Sequence, residues 1–196
     1  MTASAGDARA RALAEHLELV NGLEPLLPAV DAVARRLIGT YEAGGGVFTF
    51  GNGGSAADAQ HLAAELIGRF VQERRPLAAS ALSVDPSVVT SIGNDYSFDE
   101  VFARQVRALV SSADTVIAFS TSGRSQNVVK GLAAARDQGA ATVLFGGRDG
   151  LPAAEHADHA VIVPSTSTAR VQELHLLLLH LVIEQVDAWA ACEDEL

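Results

Sequence analysis

The chain has 196 residues, 48% hydrophobic and 19% charged, enough to bury a substantial core without disulfide or metal staples. Twenty-four acidic against fourteen basic side chains give a net charge of −10, which argues against nucleic acid or an anionic membrane surface as partner. Cys192, the only cysteine, has no internal disulfide partner. No apolar run is read as reaching membrane-spanning length and Met1 to Arg11 lacks a signal-peptide core, so a cytoplasmic protein is expected.

Leucines and valines recur at three- and four-residue spacing from Ala8 to Tyr41, with Pro28 near a second helix start, which predicts two N-terminal helices. Val47 to Phe50 reads as a short buried strand feeding the glycine-rich turn Gly51-Asn52-Gly53-Gly54, and a helix from Ser55 to about Arg69 follows. Further strands are expected over Ala78–Val84, Thr115–Ser120, Ala141–Phe145 and Ala160–Val163. Helical stretches fall around Asp99–Val110, Ser125–Gln138 and Leu151–His156, and a long last helix covers about Ala169–Ala190. Strands that are apolar throughout and alternate with helices indicate a five-stranded parallel sheet covered on both faces, hence one doubly wound α/β domain with a three-layer sandwich.

Ligands of such sheets bind outside the carboxyl ends of the strands. Three segments fall there: Asn52 to Ser55, the expected loop Gly93-Asn94-Asp95, and the turn Ser120-Thr121-Ser122-Gly123-Arg124-Ser125. Glycines admit close backbone approach, Ser55 adds a hydroxyl, and the following helix N-terminus supplies free N–H groups, a combination suited to phosphate. The second turn carries four hydroxyls, Ser120, Thr121, Ser122 and Ser125, where one would suffice to cap a helix.

His61 and Glu65 stand one turn apart on the first of these helices, so imidazole and carboxylate share a face. The last helix adds Gln172, His175, His180 and Glu184 within a leucine-rich run. His175 lies about 140° around the helix from His180, which assigns the two to different faces. His61, Glu65, His180 and the Gln172 oxygen make a mixed nitrogen and oxygen donor set suited to zinc or another divalent ion. Gln172 and His180 are nevertheless roughly 12 Å apart along a straight helix, which leaves open whether one chain or two supply the set. Gly51 to Ala56 also satisfies the dinucleotide pattern G-x-G-x-x-A, with Asp85 as a candidate ribose ligand; the spacing to Asp85 is too long, and no G-x-x-x-x-G-K-[ST] loop is present.

Taken together, Gly51 to Glu65, Gly93-Asn94-Asp95-Tyr96, Val101-Phe102-Ala103-Arg104-Gln105, Ser120-Thr121-Ser122-Gly123 and Ala169 to His175 resemble the phosphoheptose isomerases of the sugar isomerase (SIS) superfamily. The resemblance implies a flavodoxin-like SIS fold over 1–196, with N-terminal helices in 1–44 and the α/β core in 45–196. It also implies a homotetramer with active sites between subunits and one zinc ion per site. Carried over by position, His61, Glu65, Gln172 and His180 become metal ligands, and Glu65 and His180 the acid/base pair. Asn52, Gly53, Gly54, Ser55, Glu65, Asn94, Asp95, Ser120, Thr121, Ser122, Ser125 and Gln172 become the sugar phosphate contacts. The implied reaction converts sedoheptulose 7-phosphate to D-glycero-D-manno-heptose 7-phosphate. Alternatives are the same chemistry in a secondary-metabolite heptose pathway, a non-catalytic SIS adaptor of the kind that binds a replication initiator, and a nicotinamide-dependent oxidoreductase. Arg124 departs from the asparagine common in that turn.

Overall fold

The computed structural model describes residues 5–194; residues 1–4, 195 and 196, counted in the domain above, lie outside the described residues. Five parallel strands, β1 (Val47–Gly51), β2 (Ala79–Ala81), β3 (Thr115–Ser120), β4 (Ala141–Gly147) and β5 (His159–Val163), form one sheet in the order β2-β1-β3-β4-β5. Helices α1 (Ala5–Asn21), α2 (Leu27–Glu42), α3 (Gly54–Ile67), α4 (Pro86–Asp95), α5 (Val101–Leu109), α6 (Gln126–Asp137) and α7 (Thr168–Asp194) surround it, with short 3-10 turns at Glu24–Leu26, Phe98–Glu100 and Ala153–His156.

Alternation along the strands builds the layers. Ile117, Phe119, Val143 and Phe145 point into a core shared with α2, α3 and α7, whereas Val116, Ala118 and Leu144 point into a second core shared with α5 and α6. The strand order reverses between β1 and β3, so the turns that leave these two neighbouring strands diverge to opposite faces and open a crevice at their carboxyl ends.

The second strand is shorter than expected because the chain turns after Ala81 and enters α4, a helix absent from the pattern reading. Its start is an Asp-Pro signal: the Asp85 carboxylate accepts from Ser87 N at 2.8 Å and Val88 N at 3.1 Å, and Pro86 occupies the first turn, where its missing N–H costs nothing. Gly93, Asn94 and Asp95, expected in a loop, form the last turn of this helix. One helix, over Thr168–Cys192, does meet the length and hydropathy for a membrane span, contrary to expectation. Half of its most apolar window is buried against α2, α3 and the sheet, as befits a core helix.

His175 is the inward face of α7. It is fully buried against Phe119 and Phe145, its Nε2 donates to Gly146 O at 3.1 Å, and Nδ1 has no partner. Burial pushes its pKa down to about 4, against the pull of the Gly146 hydrogen bond. The unfolded chain, titrating near 6.5, takes up this proton first, so stability is lost as pH falls from about 6.5 to about 4, by about 3 kcal/mol. Burial raises the Asp58 carboxyl to about 6 against the nearby His61, a contribution of opposite sign. Thermal midpoints of wild type and His175→Leu at pH 7 and pH 4.5 isolate the histidine, because Asp58 is common to both. The variant is expected to lose less stability on acidification; equal losses would show that His175 does not set the acid limit.

Candidate active site

α3 and α7 pack side by side in the same layer and run in the same direction, which brings their functional residues together in register. At the start of α3, a Cβ built on Gly54 would lie 2.2 Å from Gln172 Nε2, so the amide of Gln172 rests directly on the helix N-terminus. Seven residues on, His61 Nε2 lies 3.2 Å from His180 Nε2 and 3.2 Å from Glu65 Oε1. Phe70 packs against the His180 ring at 5.2 Å between centroids. One chain therefore suffices to join His61, Glu65 and His180, while Gln172 meets the glycine turn about two helical turns away from them. The His180 pKa is lowered by burial and by His61, and raised in part by Glu65 and Glu184.

Among the described residues, no set of three or more His, Cys, Asp or Glu side chains forms a ready-made metal cage. The donor chemistry fits a divalent cation all the same. His61 Nε2 lies 3.2 Å from His180 Nε2 and 3.2 Å from Glu65 Oε1, each close to the roughly 3.3 Å between neighbouring ligand atoms that tetrahedral zinc requires.

Both phosphate-type turns reach the crevice between β1 and β3. The glycine turn is closed by Ser55 N donating to Asn52 O at 3.0 Å, and Gly53 sits at φ 58°, which favours glycine. Asn52 is clamped by Asn127 of α6 through reciprocal amide bonds of 2.8 and 2.9 Å. Asn127, nearly fully buried, thus ties the two turns together; 75 positions separate the partners and no local motif marks the pair.

In the hydroxyl turn, Ser120 Oγ accepts from Gly123 N at 3.1 Å and Ser122 Oγ from Arg124 N at 3.2 Å, so both retain their own protons to donate. Ser125 occupies the N-cap of α6 without a side-chain capping bond, which leaves its hydroxyl for a ligand. Arg124 is exposed and pairs with Asp149 at 3.7 Å outside the turn. Asn94 and Asp95 are exposed at the end of α4, where Asn94 Nδ2 donates to Asp95 Oδ1 at 2.8 Å, so their side chains bond to each other rather than to either turn. Asp85 is committed to capping α4, which removes the acid that the dinucleotide reading required.

A doubly wound sheet with two anion-type turns at its switch point and an imidazole–carboxylate cluster beside them defines an SIS domain: the SIS domain model matches residues 13–147, and the chain belongs to that family. Within it the chain is similar to phosphoheptose isomerases. The one from Solidesulfovibrio magneticus is 49% identical over 183 residues, 93% of this chain and 84% of that protein. The one from Aquifex aeolicus is 54% identical over 144 residues, 74% of this chain and 75% of that one. Among solved structures, the phosphoheptose isomerase from Neisseria gonorrhoeae superposes with a TM-score of 0.89 at 38% identity, covering 94% of this chain and all of that one.

Proposed function

We propose that the chain is an aldose–ketose isomerase that converts sedoheptulose 7-phosphate to D-glycero-D-manno-heptose 7-phosphate. The observation that carries this reading is the meeting of His61, Glu65 and His180 at 3.2 Å spacings on helices whose neighbouring turns offer free hydroxyls and N–H groups. Its similarity to phosphoheptose isomerases over 93% of its length points to the same substrate.

In this reading the phosphate is held by the turns of Asn52 to Ser55 and Ser120 to Ser125, where α3 and α6 present their N-termini. That anchoring fixes the far end of the sugar and orients C1 and C2 at Glu65. The Glu65 carboxylate takes a proton from C1 of the ketose, leaving an enediol, and returns it to C2 to give the aldose. His180 moves a proton between the oxygens on C1 and C2, so that hydrogen is conserved over the cycle. His61, Glu65 and His180 are the residues of one chain that would hold zinc, and Gln172, about two helical turns away in the same chain, would complete the set from a neighbouring subunit; zinc, when bound, supplies Lewis-acid polarisation of the substrate carbonyl.

Incubation with sedoheptulose 7-phosphate, with and without chelator, followed by product analysis tests both parts. Aldose formation is expected in the untreated sample. Chelation is expected to remove most of the rate, and metal analysis of fresh protein to find zinc. Full activity in metal-free protein would refute the ligand assignment. Substrate binding without turnover would refute isomerisation in favour of a non-catalytic adaptor.

A homotetramer with sites between subunits belongs to the same proposal. It is supported by α1, which leaves Leu13 and Leu17 exposed at 67% and 60%, and by the exposure of Asn94 and Asp95 away from both turns.

A further inference from the structure

Next to Glu65 at the end of α3 and two turns beyond His180 on α7 lies a buried ion pair that the mechanism does not use. Arg74 Nε donates to Asp187 Oδ1 at 3.0 Å, with side-chain exposures of 0% and 2%. The rest of the guanidinium is spent on backbone: Nη2 donates to Glu65 O at 2.7 Å, and Nη1 to Leu66 O at 2.9 Å, Gly68 O at 3.3 Å and Arg75 O at 2.9 Å. These include carbonyls that the end of α3 leaves without helical partners. Asp187 is equally committed. It accepts from Phe70 N at 3.4 Å, Val71 N at 3.0 Å and Gln72 N at 2.6 Å as well as from Arg74. Burial pushes its carboxyl up, but these four donors outweigh that and hold it below the usual carboxylate range.

The placement of the pair is specific. Asp187 follows His180 by two helical turns and so shares its stripe on α7. Arg74 grips the carbonyl of Glu65 itself, and Asp187 fixes the backbone of Phe70, whose ring packs on His180. A buried ion pair is a poor source of stability, since apolar residues of equal volume are often as good. What apolar residues lack is direction: they cannot fix individual carbonyl and N–H groups on two elements at once.

We propose that Arg74 and Asp187 are positioning residues for isomerisation, a latch that sets Glu65 on α3 against His180 on α7; this rests on the assignment of those two residues as the acid/base pair. Neither touches substrate. Loosening the latch moves the pair without emptying the phosphate turns, so the effect falls on kcat and not on KM.

The test uses Asp187→Asn and Arg74→Lys in the full chain, with kcat and KM for sedoheptulose 7-phosphate measured well below each thermal midpoint. Val106→Ala, in the core on the opposite face of the sheet, controls for lost stability. Asp187→Asn is expected to lower kcat about 10- to 100-fold with KM within about threefold of wild type. Arg74→Lys, which keeps the charge but not the fork, is expected to lose kcat to a similar degree, and Val106→Ala to keep wild-type kcat. A latch variant that keeps wild-type kcat while folded, or whose loss matches that of Val106→Ala at equal stability, overturns the proposal. Should neither latch variant fold, Phe70→Leu puts the same question with the ion pair intact: lower kcat at constant KM supports the latch, and unchanged kcat overturns it. Wild type and Glu65→Gln are assayed in parallel. An inactive wild type, or a fully active Glu65→Gln, refutes the acid/base assignment; a normal pair of controls beside an unaffected Asp187→Asn refutes the latch alone.

Discussion

Glu65→Gln is expected to fold, to bind the sugar phosphate and to lose turnover by about 10²- to 10⁴-fold, the range for removing a general base. The amide is isosteric with the carboxylate and can still lie 3.2 Å from His61, so neither α3 nor its packing on α7 has cause to change. The phosphate turns are built by other residues, which is why KM should hold while kcat collapses. Steady-state kinetics with a thermal unfolding control decide the matter. Isomerisation at the wild-type rate would remove Glu65 from the base role.

Gly123→Ala should give the largest loss of stability of any small substitution near the site. Gly123 sits at φ 67°, where an L side chain is strained, and its Cβ would lie 2.3 Å from the carbonyl carbon and oxygen of Gly150. That obstacle is backbone and has no rotamer to escape into. Strain and overlap together should cost at least about 3 kcal/mol, a large part of the 5–15 kcal/mol that domains possess. The expected fall in thermal midpoint is about 6 to 12 °C. Ala153 N donates to Gly123 O at 3.0 Å, so the displacement also pulls on the hydroxyl turn, and KM should rise about tenfold where protein survives. Gly53→Ala provides the comparison: φ is similarly positive at 58°, but nothing lies within 4 Å of the added carbon, so only the conformational cost remains. Equal midpoints for the two variants would show that the Gly150 contact is not rigid.

The parts of this molecule that follow from local pattern were legible in its sequence. The five strands, the placement of α3 directly after the glycine turn, and the opposite destinations of His175 and His180 all follow from period and azimuth. α4 escaped because its apolar residues are few and one side of it is exposed, although Asp85 and Pro86 announced its start. The relation of Gln172 to His61 was not legible, because it depends on the parallel register of α3 and α7, which no spacing within either helix encodes. Asn127 and Arg74 were invisible for a related reason: each acts on a partner 75 or 113 positions away, and neither stands in a motif. Local chemistry selects the candidates, and long-range packing decides which of them meet.

α7 comes after every strand in the chain, yet it supplies Gln172, His180 and Asp187 and covers one face of the sheet. During synthesis the ribosome therefore releases all five strands before the helix that shields them. Until it docks, the nascent chain holds Ile117, Phe119, Val143 and Phe145 with a bare flank, the kind of surface that chaperones capture. Activity and protection from aggregation arrive in the same step, so arrest of translation before α7 would release a product both inert and sticky.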